Sequence, residues 1–342
     1  MSRFIDAANR RPVDATPVWL MRQAGRSLPE YRKMRERWTL PEIVAQPELC
    51  AEVTLQPVRR LGVDAAVMFA DIMLPLHGMG VDFELVENVG PVIAHPIAGA
   101  GDVDRLRVPD GEEAAPQVIA AVRQVVAESP VPVICFSGAP FTLASYLIEG
   151  RPSRTFDKVK AFMFSEPEAF DQLLGKLAAT MAGYLKAQVS AGAQAVQVFD
   201  SWVGTLALED YESRVARHTR AIFDALSATR VPRIHFGTDT GHLLEAIART
   251  GPDLISVDWR VQVDEAWPRI GRDRGIQGNL EPAVLLGPAD LVRERTRDVL
   301  RRAGGRPGHI FNLGHGVPPE ASVESLQLLV ETVHSWVPAR VA

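Results

Sequence analysis

The chain has 342 residues, 46% hydrophobic and 23% charged, long enough to bury a sizeable core as one large domain or two ordinary ones. Its formal net charge of −5 argues against a nucleic-acid partner held mainly by electrostatics. Two cysteines, Cys50 and Cys135, stand far apart without metal-ligand spacing, so neither a disulfide framework nor a cysteine zinc site is expected.

No stretch approaches the apolar length of a membrane span, and the first residues hold no apolar core for a signal peptide. The expectation is a cytoplasmic, soluble protein with no membrane partner. Basic residues are dense early on, at Arg22, Arg26, Arg32, Lys33, Arg35 and Arg37, which suits an anionic small molecule better than a phosphate backbone.

Along the chain, short apolar runs recur: Val18-Trp19-Leu20-Met21, Ala65 to Phe69, Val131 to Phe136, Ala195 to Phe199, Arg233 to Phe236, Leu254 to Val257, Gly275 to Gly278 and His309 to Leu313. Each is continuous rather than strictly alternating, as in strands buried on both faces of a parallel sheet. Between them lie segments of helical periodicity: Pro41 to Leu61, Pro116 to Glu128, Pro167 to Ala191, Leu208 to Ala228, Leu243 to Arg249, Pro288 to Ala303 and Pro319 to Trp336. Strand and helix alternating about eight times predict an α/β fold, a single (β/α)8 TIM barrel. A doubly wound open sheet is the alternative, weakened because no Gly-x-Gly-x-x-Gly follows the first run. Phe83 to Ile93 breaks the rhythm and reads as a β-hairpin excursion after strand two, turning at Asn88-Val89-Gly90. No linker or composition shift divides the chain, so residues 1–342 are expected to form one domain.

In such a barrel the chemistry belongs to the carboxyl ends of the strands. The first end carries Arg22 and Arg26 around the small turn Ala24-Gly25, and arginine forks match carboxylates bidentately. The second carries Asp71, a carboxylate at an apolar mouth that either has work to do, caps the next segment or pairs with Arg22. Later ends bring Tyr146, which could be a buried ring or a ligand contact, and Ser201, a ligand contact or an N-cap. His315 lies between two glycines that permit close approach of backbone to a ligand. Asp200, Asp239, His242 and Asp258 are further mouth residues whose spacing assigns no role. There is no nucleophile elbow, His-Glu-x-x-His, phosphate loop or strand-end lysine, so the expected site uses no cofactor and no metal.

Four stretches carry a resemblance. Pro17 to Arg32, with Met21-Arg22-Gln23-Ala24-Gly25-Arg26 at its centre, closely resembles the N-terminal signature of the uroporphyrinogen decarboxylase family. Phe136 to Tyr146 is similar to its second signature, and Phe199-Asp200-Ser201-Trp202 and Phe311 to Gly316 match further motifs in the family's order. Ser27 and Phe141 stand where many members carry tyrosine and tryptophan. The resemblance implies a (β/α)8 barrel forming a homodimer with facing clefts. It implies decarboxylation, without a cofactor, of the acetate arms of uroporphyrinogen III to methyl groups, giving coproporphyrinogen III and CO2 in haem biosynthesis. It puts substrate contacts on Arg22, the backbone of Gln23, Ala24 and Gly25, Arg26, Asp71, Tyr146, Ser201 and His315, with Arg35 at a further basic position used by some members. Asp71 and Arg22 are the expected catalytic residues: the carboxylate would accept pyrrole N–H groups and stabilise a cationic ring, while an arginine is a poor acid at its reference pKa. A corrinoid-linked methyltransferase of the same superfamily would need His and Cys zinc ligands around Cys50 or Cys135, which have no His-x-Cys partner; a non-catalytic tetrapyrrole binder is the other alternative.

Overall fold

Continuous apolar strands leave no face for water, so they must be covered on both sides, and the chain achieves this by curling its sheet inside a layer of helices. The computed structural model describes residues 2–87 and 89–337. Its strands are β1 (Ala66–Val67), β2 (Phe83–Val86), β3 (Gly90–Ile93), β4 (Val133–Gly138), β5 (Ala195–Asp200), β6 (Arg233–Gly237), β7 (Leu254–Ser256), β8 (Gly275–Gln277) and β9 (His309–Ile310). Seven of them form one parallel sheet in the order β1-β4-β5-β6-β7-β8-β9, and β2 and β3 form the antiparallel hairpin after the second barrel position. The expected turn residue Asn88 lies outside the described residues.

The first run is where expectation and structure part. Residues 18–21 do not form a regular strand; a single parallel bridge, Val18 to Phe311, is all that remains of it. The physical reason is that side chains take the place of ladder partners. The Val18 N–H donates to the Asp64 carboxylate at 2.8 Å, Leu20 N–H to Gln23 Oε1 at 2.9 Å and Met21 N–H to Asn312 Oδ1 at 2.9 Å. Backbone bonds Phe311 N–H to the Pro17 carbonyl and Asp64 N–H to the Val18 carbonyl, both 2.8 Å, join this segment to β9 on one side and to the approach to β1 on the other. The eighth position of the barrel is therefore filled, and the ring closes.

The lumen is packed rather than open. Trp19 Nε1 donates to Gln277 Oε1 at 3.0 Å, and Gln277 Nε2 donates to Gln197 Oε1 at 3.0 Å and to Ser256 Oγ at 2.9 Å. Gln197 on β5 and Gln277 on β8 are not on neighbouring strands, so these bonds cross the interior; they satisfy the buried Gln277 amide and leave Gln197 Nε2 without a partner among the described residues.

Helices Pro116–Glu128 and Pro167–Ser190 form close to the expected bounds. The segment Pro41 to Leu61 splits into Leu40–Ala45 and Pro47–Leu61, because Pro47 starts a new helix and forces Gln46 into an extended conformation. The segment from Leu208 becomes a short turn, a π-helical stretch over Tyr211–Val215 and the helix Ala216–Ala225. Among the described residues no helix is long and apolar enough to cross a membrane.

The Asp64 carboxylate, 11% exposed, takes bonds from Val18 N–H, from Arg3 Nη1 at 2.9 Å and from His334 Nε2 at 2.7 Å, so one side chain ties both ends of the chain to the closing segment. Asp64→Ala should lower the unfolding free energy by about 2–4 kcal/mol, the usual cost of stranding buried partners of a carboxylate. Urea denaturation checks this, and an unchanged midpoint would refute the clamp.

Candidate active site

The turn after the closing segment puts Arg22 at φ +59°, a left-handed conformation unusual for a side chain with a Cβ. Gln23 holds it there. That side chain is fully buried, its Oε1 accepting from Leu20 N–H and its Nε2 donating to the Ala65 carbonyl at 3.0 Å, while its own N–H bonds the Leu20 carbonyl. Gln23 is thus a support of the turn, with its side-chain amide and its N–H bonded inside the fold. Arg22 and Arg26 stand exposed on either side of it. The Arg26 carbonyl is braced by Arg32 Nη1 at 2.7 Å. Arg35, on helix Pro29–Arg35, reaches Tyr31 Oη at 3.4 Å and approaches Glu87 beside the hairpin at 3.5 Å.

Asp71 follows β1 and is partly buried. Burial pushes its carboxyl above the usual range, opposed by the Met73 N–H bond at 2.9 Å and by the Arg22 charge. Capping and attraction to Arg22 are therefore both present, yet Asp71 is not locked in an ion pair like the surface carboxylates. Tyr146 sits on helix Pro140–Glu149 after β4. Burial raises its hydroxyl pKa, the neighbouring Trp202 side chain opposes the shift, and the charges of Asp71 and Arg22 both reach it. Ser201 leaves β5 half-buried; its carbonyl accepts from Thr238 Oγ1, and the short helical turn Val203–Thr205 has no side-chain cap, so Ser201 is not an N-cap. One buried carboxylate aligns these two walls: Thr142 Oγ1 donates to Asp200 Oδ1 at 2.9 Å and accepts from Trp202 N–H at 3.2 Å. Asp200 thereby joins the Tyr146 helix to the Ser201 loop.

His315 follows β9. Burial, then the Arg22 charge, push its imidazole pKa down to about 4, with Asp258 pulling up and Arg260 adding to the depression. Its flanking glycines make room for neighbours. A Cβ at Gly316 would stand 2.5 Å from Arg22 Cδ, and one at Gly314 would stand 2.5 Å from the Trp259 backbone nitrogen. Asp258, 2% exposed, organises the ends of β6 and β7, accepting from Asp239 N–H at 2.6 Å, Arg260 N–H at 3.0 Å and Arg260 Nη1 at 2.5 Å. His242 is occupied with the Leu206 carbonyl at 2.8 Å, away from any role at the mouth.

Arg22, Asp71, Tyr146 and His315 thus share one electrostatic neighbourhood, with Ser201 held beside Trp202. Sequence reading missed the aromatic floor beneath them. Phe136, Phe199, Phe236 and His315 meet edge to face in a chain, at centroid distances of 5.2, 5.6 and 6.2 Å, and Phe156 and Tyr146 flank Trp202 at 5.3 and 6.1 Å. Phe136, Phe199 and Phe236 lie within apolar runs, where nothing in the pattern separates a mouth residue from a core one.

Comparison with known proteins is consistent across the chain. A protein-family model described as uroporphyrinogen decarboxylase matches residues 1–336. Proteins named uroporphyrinogen decarboxylase from Carboxydothermus hydrogenoformans and Sorangium cellulosum are each 52% identical, over 97% of this chain and 95% and 96% of theirs. Among solved structures, a methyltransferase from Methanosarcina mazei superposes with a TM-score of 0.80 over 96% of both chains, at 20% identity, a likeness of fold.

His315 predicts a pH effect. Its folded pKa of about 4 is below the ordinary 6.5, so between those values the unfolded chain binds more protons and stability falls as pH drops from 6.5 to 4. The fall in urea midpoint across that window should be shallower in His315→Asn than in the parent; parallel profiles would show that the imidazole is not held neutral by the fold.

Proposed function

The chain belongs to the uroporphyrinogen decarboxylase family, and from that premise we propose that the Arg22–Arg26 turn, Asp71, Tyr146, Ser201 and His315 form its substrate site. The enzyme is a carboxy-lyase of haem biosynthesis that converts acetate arms of uroporphyrinogen to methyl groups. The observation that carries the site assignment is Asp71: a partly buried carboxylate that accepts from the Met73 N–H and lies in the field of Arg22 and near Tyr146 at the end of a barrel strand.

The chemistry needs such a group. Loss of CO2 from an acetate on a pyrrole leaves an electron pair that must be accepted. A proton added to the ring carbon beside the acetate makes the ring cationic. The C–CO2 bond then breaks, its electrons flow into the ring to form an exocyclic methylene, and CO2 departs. A proton on the methylene carbon completes the methyl group, and the ring carbon returns its proton. The net change is one carboxylate and one proton converted to C–H and CO2. An ionised Asp71 accepting pyrrole N–H groups lowers the energy of both cationic stages, as fixed donors do for an oxyanion. The Arg22 and Arg26 forks hold carboxylate arms, with the Ala24 and Gly25 N–H groups of the turn beside them. Tyr146, Ser201 and His315 supply neutral hydrogen bonds, and the aromatic floor excludes water below the ring.

This reading takes uroporphyrinogen III as the substrate, coproporphyrinogen III as the product, and no cofactor or metal. It takes residues 1–342 as one barrel domain that pairs as a homodimer in the cytoplasm. The thiols do not favour a methyltransferase reading: Cys50 and Cys135 are buried, and among the described residues no group of three or more His, Cys, Asp or Glu side chains is placed to hold a metal ion.

Incubation with uroporphyrinogen III under anaerobic, reducing conditions should show stepwise loss of carboxylates; unchanged substrate rejects the reading. Asp71→Asn should keep the thermal midpoint and lose about 10²-fold or more in kcat, and near-parental turnover would remove Asp71 from its role. Gly316→Ala should displace Arg22 and raise KM several-fold while the fold survives, because the clash falls on a flexible side chain; unaltered kinetics would show that Arg22 does not need that space.

A further inference from the structure

Uroporphyrinogen carries an acetate and a propionate on every pyrrole, so its negative charge runs around the whole rim of the ring. The Arg22 and Arg26 forks serve one sector of the mouth only. The barrel order places β7 four positions from β1, directly across from the strand that carries Asp71. Among the described residues at the ends of β6, β7 and β8, from 238 to 242, 257 to 260 and 278 to 281, Arg260 alone is a lysine or arginine.

Its placement follows from packing around His315. Gly316 lies against Arg22, and Gly314 lies against Trp259, whose ring carries the Arg260 guanidinium 4.3 Å above its centroid. Arg22 and Arg260 therefore flank the His315 loop on its two sides, and both charges reach the imidazole. The Arg260 side chain is 46% exposed. Its Nη1 bonds Asp258, which fixes the stem, while its Nε stands 4.0 Å from Asp239, beyond hydrogen-bond reach. A guanidinium stacked on an indole and anchored through one nitrogen is preorganised to offer its other donors to a carboxylate.

We propose that Arg260 is a further substrate-binding residue, which takes a carboxylate arm of the macrocycle on the wall opposite Asp71. The proposal rests on the decarboxylase reading of the same mouth. Arg260 makes ground-state contacts with an arm away from the reacting carbon, so its loss weakens binding more than turnover.

The test is steady-state decarboxylation of uroporphyrinogen III by the full chain, comparing the parent with Arg260→Gln and Arg260→Lys. Glutamine keeps a donor for Asp258 and removes the charge; lysine keeps the charge and removes the fork. Arg260→Gln should raise KM about tenfold with kcat within about threefold, the scale of one lost charge-assisted hydrogen bond. Arg260→Lys should recover part of the loss, and KM of the parent should rise more steeply with salt than that of Arg260→Gln. A KM within twofold of the parent, or a fall in kcat with KM unchanged, would overturn the proposal and leave Arg260 as a structural partner of Asp258. An inactive parent would instead reject the decarboxylase reading, and the proposal with it.

Discussion

Closure of the barrel at its weakest position governs the rest of this structure. The segment 18–21 is held by one bridge to Phe311 and by borrowed acceptors, the Asp64 carboxylate, Gln23 Oε1 and Asn312 Oδ1. A regular strand would spend its backbone on its neighbours and run straight through the mouth. Here the chain leaves the ring early and turns at Arg22 with a positive φ. Buried side-chain acceptors offset the desolvation of the backbone N–H groups, so the irregularity costs little locally and sets the arginine turn at the mouth. The same side chain that closes the ring, Asp64, is bonded to Arg3 and His334, so the termini brace the entry to the active turn.

The mouth combines groups that oppose each other. Burial disfavours the ionised form of Asp71 and the protonated form of His315, and the Arg22 guanidinium favours the first while opposing the second. The result is a partly buried carboxylate near a neutral imidazole and a tyrosine hydroxyl, with exposed arginines beside them. That distribution is the one the proposed reading calls for, with guanidinium forks for the carboxylates of a polyanionic ring and an acid for its N–H groups. The phenylalanine chain packed against His315 lowers the local dielectric, which strengthens electrostatic contacts at the mouth.

Support for the site lies largely in buried polar pairs within the fold. Asp200 and Thr142 join the loop of Ser201 to the helix of Tyr146, and Asp258 joins the ends of β6 and β7. Each uses a carboxylate on backbone or hydroxyl donors, the arrangement that holds a loop without a regular ladder. Asp200 and Asp258 looked like mouth residues in the sequence because they follow strands. Their burial turns them into struts.

What the sequence determined by itself was the alternation of strands and helices, the barrel, the hairpin excursion, the positions of Arg22, Asp71, Ser201 and His315 after strands, and Tyr146 in the segment after one. These were legible because apolar periodicity and turn chemistry are local, and because a barrel confines function to one end of each strand. Tertiary structure alone decided which polar residues are spent on the fold. Gln23 sits inside the arginine motif, yet its amide is consumed between Leu20 and Ala65, forty-two residues away. It likewise decided that Gly314 and Gly316 make room for Trp259 and Arg22, and that Arg260 comes to rest beside His315. Such pairings depend on which strands adjoin after the ring has closed, and no local pattern encodes that adjacency.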